Sequence, residues 1–244
     1  MLLLPRFNKK QNGFPFDGTI GATYWGNFAR AIMNRFPNER AHYFDGSRVL
    51  IERYAEITTR GITSGLGSYG ESLGYRLGHS IRSRSHEGNF WPGNRVEAGR
   101  IDGAARAAHI IDNLERDDDG NITEAITIFT HSYGTAYSRG LVESLIKYAN
   151  DNDIKGLNIQ FQVDIASFQG NSLPANVANT FQVGSWGDLV AGTAPIPGAT
   201  RIDGSTKLIP GHGLGDYSAD RIIDNIINFA RENNINITVD GVKQ

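Results

Sequence analysis

Two hydrophobic periods run along this chain, and the places where one gives way to the other mark its elements. Ile126-Thr127-Ile128-Phe129-Thr130 is a short apolar and β-branched run, the pattern of a buried strand. It stops before Gly134, and helical spacing begins at once through Ala136, Tyr137, Gly140, Leu141, Ser144 and Leu145. Two further strands are predicted over 157–163, which alternates and then closes on Asp164-Ile165-Ala166, and over 180–183. Amphipathic helices are predicted over 24–36, ended by Pro37, over 101–116, and over 219–233. Their buried stripes are Trp25, Phe28, Ile32 and Phe36 in the first, Ala107, Ile110, Ile111 and Leu114 in the second, and Ile222, Ile223, Ile226 and Ile227 in the third.

The remaining segments carry weaker signals. Residues 1–23 read as an extended arm with turns, and 41–47 as a short strand running into an Asp-Gly turn. Residues 48–60 fit strand or helix equally. Residues 61–99 are rich in Gly, Ser and Arg and carry the aromatic turn Phe90-Trp91-Pro92-Gly93, a candidate lid or substrate-contact insertion or else a solvated connector. The acidic turn at Asp117-Asp118-Asp119-Gly120-Asn121 lacks the downstream glutamate of a calcium loop. Strands alternating with helices through right-handed crossovers predict an α/β fold: a doubly wound, mostly parallel sheet in one domain spanning 1–244, with an N-terminal arm and helix over 1–40.

The chemistry gathers at the sharp turn between the central strand and its helix. Ser132 sits there, with the free N–H groups and positive dipole end of a helix N-terminus behind it. A serine hydroxyl needs a base to take its proton, and that base needs a third group to fix its tautomer. Asp164 and Asp188 are both expected just past the C-terminal ends of strands, where open α/β sheets place their sites. His212 lies between Gly211 and Gly213, ahead of the last helix. His131 is expected to point away from Ser132, because neighbouring side chains of an extended strand face opposite sides. His42 reads as structural; Asp203 and Asp216 read as a turn residue and a helix-start residue.

Thr130-His131-Ser132-Tyr133-Gly134 resembles the nucleophile elbow, G-x-S-x-G, of the α/β-hydrolase superfamily, with threonine in place of the first glycine. The departure implies a more open elbow or a trimmed neighbour, with Gly140 relieving crowding one turn on. The resemblance covers the chain from about residue 41 onward and is closest to lipase- and esterase-like members. It implies the chain order serine, acid, histidine, and this sequence offers that order in Ser132, Asp188 and His212. Asp188 is preferred over the alternative acid Asp164 because its strand lies later in the sheet and Gly187 lets the loop turn. The oxyanion hole is then expected from the N–H of Tyr133 and one donor at Gly46 or Ser47. The texture of the chain also resembles the lipase-like domains at the C-terminal ends of Rhs-type bacterial toxins and effectors. That resemblance implies an ester or phospholipid substrate in a rival cell and a cognate immunity protein as partner.

Composition narrows the reading further. A net charge of −2 provides no nucleic-acid footprint. The absence of cysteine excludes disulfides, thiol catalysis and cysteine metal sites. Met1-Leu2-Leu3-Leu4-Pro5 is too short for a signal-peptide core, and no run reaches membrane-spanning length, which leaves at most transient contact with a membrane surface. The chain is expected to be cytoplasmic or a piece released from a longer secreted protein. The expected activity is hydrolysis of a carboxylic ester through an acyl-enzyme, with no metal or organic cofactor. The alternatives are a non-catalytic binding module on the same scaffold, and a thioesterase or peptidase using the same three residues.

Overall fold

The computed structural model describes residues 2–4, 18–36, 41–44, 92–167, 173–184, 188, 194–207, 211–239 and 242–243. Its main sheet has six strands in the order β2-β1-β3-β4-β5-β6. These are β1 (Leu2–Leu4), β2 (His42–Tyr43), β3 (Ala125–His131), β4 (Asn158–Ile165), β5 (Thr180–Val183) and β6 (Thr200–Ile202). The four strands β3 to β6 run parallel, and β1 is antiparallel to both of its neighbours. Two short strands, β7 (Thr238–Val239) and β8 (Val242–Lys243), form a separate antiparallel pair. The helices are α1 (Gly18–Arg35), α2 (Pro92–Asp112), α3 (Gly134–Asp151) and α4 (Ala219–Glu232).

Helices cover both faces of the parallel strands. On one face, α1 and α4 bury Trp25, Ile32, Ile222 and Ile226 against Phe161, Val163 and Phe181. On the other, α2 and α3 bury Ile111, Leu141 and Leu145 against Ile126 and Ile128. Each fully buried aliphatic or aromatic side chain contributes about 1.5–3 kcal/mol of transfer free energy, so these two layers are the main source of stability. The architecture is an α/β fold with parallel strands flanked by helices. β3 is buried along nearly its whole length because it is covered on both sides, which explains why its sequence is a continuous apolar and β-branched run.

Several boundaries depart from the sequence pattern. The arm expected over 1–23 supplies a strand and the start of a helix: Leu2–Leu4 pairs between β2 and β3, and α1 begins at Gly18. α1 is kinked at Gly26, whose φ of 44° glycine alone adopts freely. α2 starts nine residues ahead of the expected 101, at Pro92, a residue suited to a first helical turn because its missing N–H has no acceptor there anyway. The candidate lid over 61–99 therefore lies outside the described residues up to 91, and its last residues, 92–99, are helix. At its other end α2 stops at Asp112, because Arg116 pairs with Ile122 and Asp117 accepts from the N–H of Asn121 at 2.7 Å, closing the acidic turn.

α2 and α3 approach each other unusually closely. A Cβ built on Gly140 would fall 1.8 Å from the carbonyl oxygen of Val96, and one on Gly99 would fall 1.9 Å from that of Tyr137. Gly140 thus serves helix–helix contact, not relief of crowding at the elbow. The contact fixes the start of α2 beside the start of α3.

Candidate active site

β3 ends at His131, and the chain turns at Ser132 with φ at +54°, a left-handed conformation that non-glycine residues rarely adopt. The backbone stays tied to the sheet there, with the Ser132 N–H donating to Ile165 at 3.0 Å. Tyr133 is the N-cap of α3, and no side chain caps that end. The serine is lifted out of the sheet in front of a helix N-terminus, whose first N–H groups have no intrahelical acceptor.

Ser132, His212 and Asp188 meet in one hydrogen-bonded chain. His212 Nε2 lies 2.7 Å from Ser132 Oγ, and His212 Nδ1 lies 2.9 Å from Asp188 Oδ2 and 3.1 Å from Oδ1. A carboxylate only accepts, so Nδ1 carries a proton, and in the neutral ring Nε2 then faces the hydroxyl with its lone pair. The Asp188 side chain has no exposed surface, whereas His212 is 26% exposed. The acid is thereby shielded from water while the imidazole edge remains open. Asp188 belongs to the segment following β5, and His212 to the loop between β6 and α4.

That loop is held by Asp216 and Tyr217. The Gly211 N–H donates to Asp216 Oδ2 at 2.8 Å, and the Tyr217 hydroxyl donates to the Gly211 carbonyl at 3.2 Å. The Lys207 ammonium beside Asp216, followed by the Gly211 N–H, lowers the pKa of that carboxyl. Asp216 therefore lies in a 3-10 turn (Leu214–Asp216) and not at the helix start; Ser218 caps α4 by accepting from the Arg221 N–H at 3.3 Å. Asp203 is a turn residue as expected, accepting from the Ser205 N–H at 3.0 Å.

His131 closes the same loop from the strand side. Its Nε2 lies 2.7 Å from the carbonyl oxygen of His212, and the two rings sit 5.1 Å apart. A carbonyl only accepts, so Nε2 is protonated and donates. Burial pushes the His131 pKa down to about 4, against the hydrogen bond to His212, which raises it. His131 and Ser132 both border His212, one at its carbonyl oxygen and the other at its Nε2. The exclusion of His131 as the base stands geometrically, since its ring meets a backbone carbonyl and not the hydroxyl.

Asp164 is elsewhere. It lies within β4, not past its end, and its side chain is fully buried. Oδ1 accepts from Thr130 Oγ1 at 2.8 Å and from Gln162 Nε2 at 2.6 Å, while Oδ2 accepts from Arg139 at 2.5 Å. Thr130 is also 3.0 Å from Thr135 Oγ1 across the elbow. The threonine that replaces the small elbow residue is thus accommodated by hydrogen bonds beneath the turn, with no trimmed neighbour required.

Of the expected oxyanion donors, Tyr133 is the N-cap residue of α3, and Gly46 and Ser47 lie outside the described residues. The Tyr133 ring is covered by Arg95 of α2, whose guanidinium carbon is 3.6 Å from the ring centroid. Arg95 was hidden in sequence by its place in a Gly- and Arg-rich stretch without periodicity. A cleft lined by Trp25, Phe28, Leu214 and Tyr217 runs along the histidine loop and includes none of the three hydrogen-bonded residues. Among the described residues, no group of three or more His, Asp or Glu could hold a metal ion, and no helix is long and apolar enough to cross a membrane. Comparison with models of protein families, with curated proteins and with solved structures finds no match to this chain.

Proposed function

We infer that this protein is a serine hydrolase that cleaves carboxylic esters on an α/β-hydrolase-like scaffold. The observation that carries the reading is the pairing of Ser132 Oγ with His212 Nε2 at 2.7 Å while Nδ1 rests on buried Asp188 at 2.9 Å. A strained backbone at the serine, with φ at +54°, supports it, because such strain persists where the surroundings enforce it, often at functional sites.

Ser132 Oγ attacks the ester carbonyl as His212 Nε2 takes the hydroxyl proton. The imidazolium that forms is stabilised by Asp188, which stays ionised and holds the ring in the required tautomer. The Tyr133 N–H, on the N-cap residue of α3, supplies a donor to the developing oxyanion beside the positive end of the helix dipole. His212 then returns the proton to the leaving alcohol. A water molecule, deprotonated by the same nitrogen, releases the acyl group and regenerates Ser132.

The test is labelling with a fluorophosphonate and mass mapping of the adduct, alongside turnover of p-nitrophenyl butyrate. A label on Ser132 is expected, and Ser132→Ala should lower turnover by at least ~10⁴-fold with an unchanged melting temperature. Failure of folded wild-type protein to label, with no ester turnover, would leave the arrangement as a shape without its chemistry.

A further inference from the structure

Among the described residues, Arg95 is a buried charge without a counter-charge. It is 7% exposed, its Nε is buried without a hydrogen-bond partner, and among the described residues no carboxylate pairs with it. Its recorded contact is the face of the Tyr133 ring. Among the described residues the other buried guanidinium, Arg139, also leaves Nε and Nη1 without a hydrogen-bond partner, but it has a counter-charge in Asp164 at 2.5 Å. Burial lowers the Arg95 pKa from its ordinary value, and Tyr133 opposes that shift. A buried cation without an acid is an unfavourable arrangement in isolation, and a binding site is where such a group is kept for an incoming anion.

The position of Arg95 points to what that anion belongs to. Arg95 is in the first turns of α2, and the close α2–α3 contact at Gly99 and Gly140 holds that end of the helix against the start of α3. Tyr133, beneath the guanidinium, directly follows the nucleophile. An anion meeting Arg95 is therefore part of whatever is bound at Ser132. Arginine presents a planar fork of donors that matches a carboxylate or phosphate in two parallel hydrogen bonds, and stacking on an aromatic face leaves the edge of that fork available. We propose that Arg95 is a specificity-determining residue that binds an anionic oxyacid group, carboxylate or phosphate, carried by the ester substrate next to its scissile bond. The proposal rests on the hydrolase reading and names its substrate class.

Two matched pairs of esters test it on the full chain. Mono-p-nitrophenyl glutarate against p-nitrophenyl butyrate places the charge on the acyl side, and dihexanoyl phosphatidate against dihexanoylglycerol places it on the alcohol side. Wild-type protein is expected to favour the anionic member of one pair, which identifies the side. Arg95→Gln is expected to lower that anionic-to-neutral ratio of kcat/KM by roughly 10- to 100-fold, mainly through KM, the range of one charge-assisted hydrogen-bonded contact. Arg95→Lys, which keeps the charge without the fork, should recover part of the ratio and guards against a glutamine variant that folds poorly. A ratio within twofold of wild type in both variants overturns the proposal, since a residue that only steadies Tyr133 moves both esters together. A wild type that labels at Ser132 and cleaves neutral esters without preferring either anionic partner overturns it while leaving the hydrolase reading intact. Absence of both label and turnover overturns both.

Discussion

Asp164 and Asp188 are the same side chain at the same end of one parallel sheet, each without exposed surface, and they face different kinds of partner. Asp164 has both oxygens engaged by Thr130, Gln162 and Arg139. Its partner cation cannot lose its proton, so the pair is a fixed cancellation of charge beneath the elbow. Asp188 faces His212, an imidazole whose other ring nitrogen meets Ser132. The comparison teaches that burial does not make a carboxylate catalytic. What distinguishes the two is whether the partner can gain a proton during a reaction.

The sharpest way to break this comparison is to remove each charge in turn. Asp188→Asn should leave the melting temperature nearly unchanged and lower kcat/KM for p-nitrophenyl butyrate by ~10⁴-fold, because the histidine loses the partner that holds its tautomer. A loss below tenfold would mean that Asp188 does not orient His212. Asp164→Asn should do the reverse. It leaves the Arg139 guanidinium buried without its counter-charge, and urea denaturation should report a loss of about 3–5 kcal/mol, with turnover per folded molecule retained. A variant of full stability and no turnover would exchange the roles assigned here.

His131 refines the contrast through pH. Its pKa in the folded protein is about 4, below the ordinary value near 6.5, so the unfolded chain binds the proton more readily. The associated stability is fully present above about pH 6.5, declines as the pH falls, and is lost below about pH 4. Over that window the loss is on the order of 3 kcal/mol. Urea melts across the window should show it in wild type and show a flatter profile in His131→Gln. An unchanged slope would mean that His131 is not the buried neutral group described. The smallest effect is expected from Thr130→Val, which deprives Asp164 and Thr135 of one hydroxyl and should cost about 1–2 kcal/mol in the same melts. A gain in stability would show that the threonine is tolerated at the elbow and not used there.

The strand–turn–helix around Ser132 was legible because it is local. A β-branched run, a glycine two residues after the serine and an immediate change to helical spacing all lie within about twenty residues. The α4 stripe of Ile222, Ile223, Ile226 and Ile227 was legible for the same reason, and all four are buried. The choice of Asp188 and His212 depended on resemblance in chain order, and the structure brings His212 to Ser132 across 80 positions and Asp188 to His212 across 24. β4 shows where pattern alone stops. Its alternation, with Phe161, Val163 and Ile165 on one face and Gln160, Gln162 and Asp164 on the other, is the pattern of a strand half exposed to water. Every one of these residues is buried.

The sequence by itself determined the periods, and through them the central strand, its helix and the serine between them, because side-chain spacing and backbone geometry act over a few residues. Only the tertiary structure decided that the polar face of β4 meets Arg139 and Ser138 of α3 in place of solvent. It alone brought His131 to the carbonyl of His212 and set Arg95 over Tyr133 with no acid beside it among the described residues. Partners for buried polar groups come from segments far apart in the chain, and whether a charge is satisfied, spare or poised depends on which of those segments fold against it.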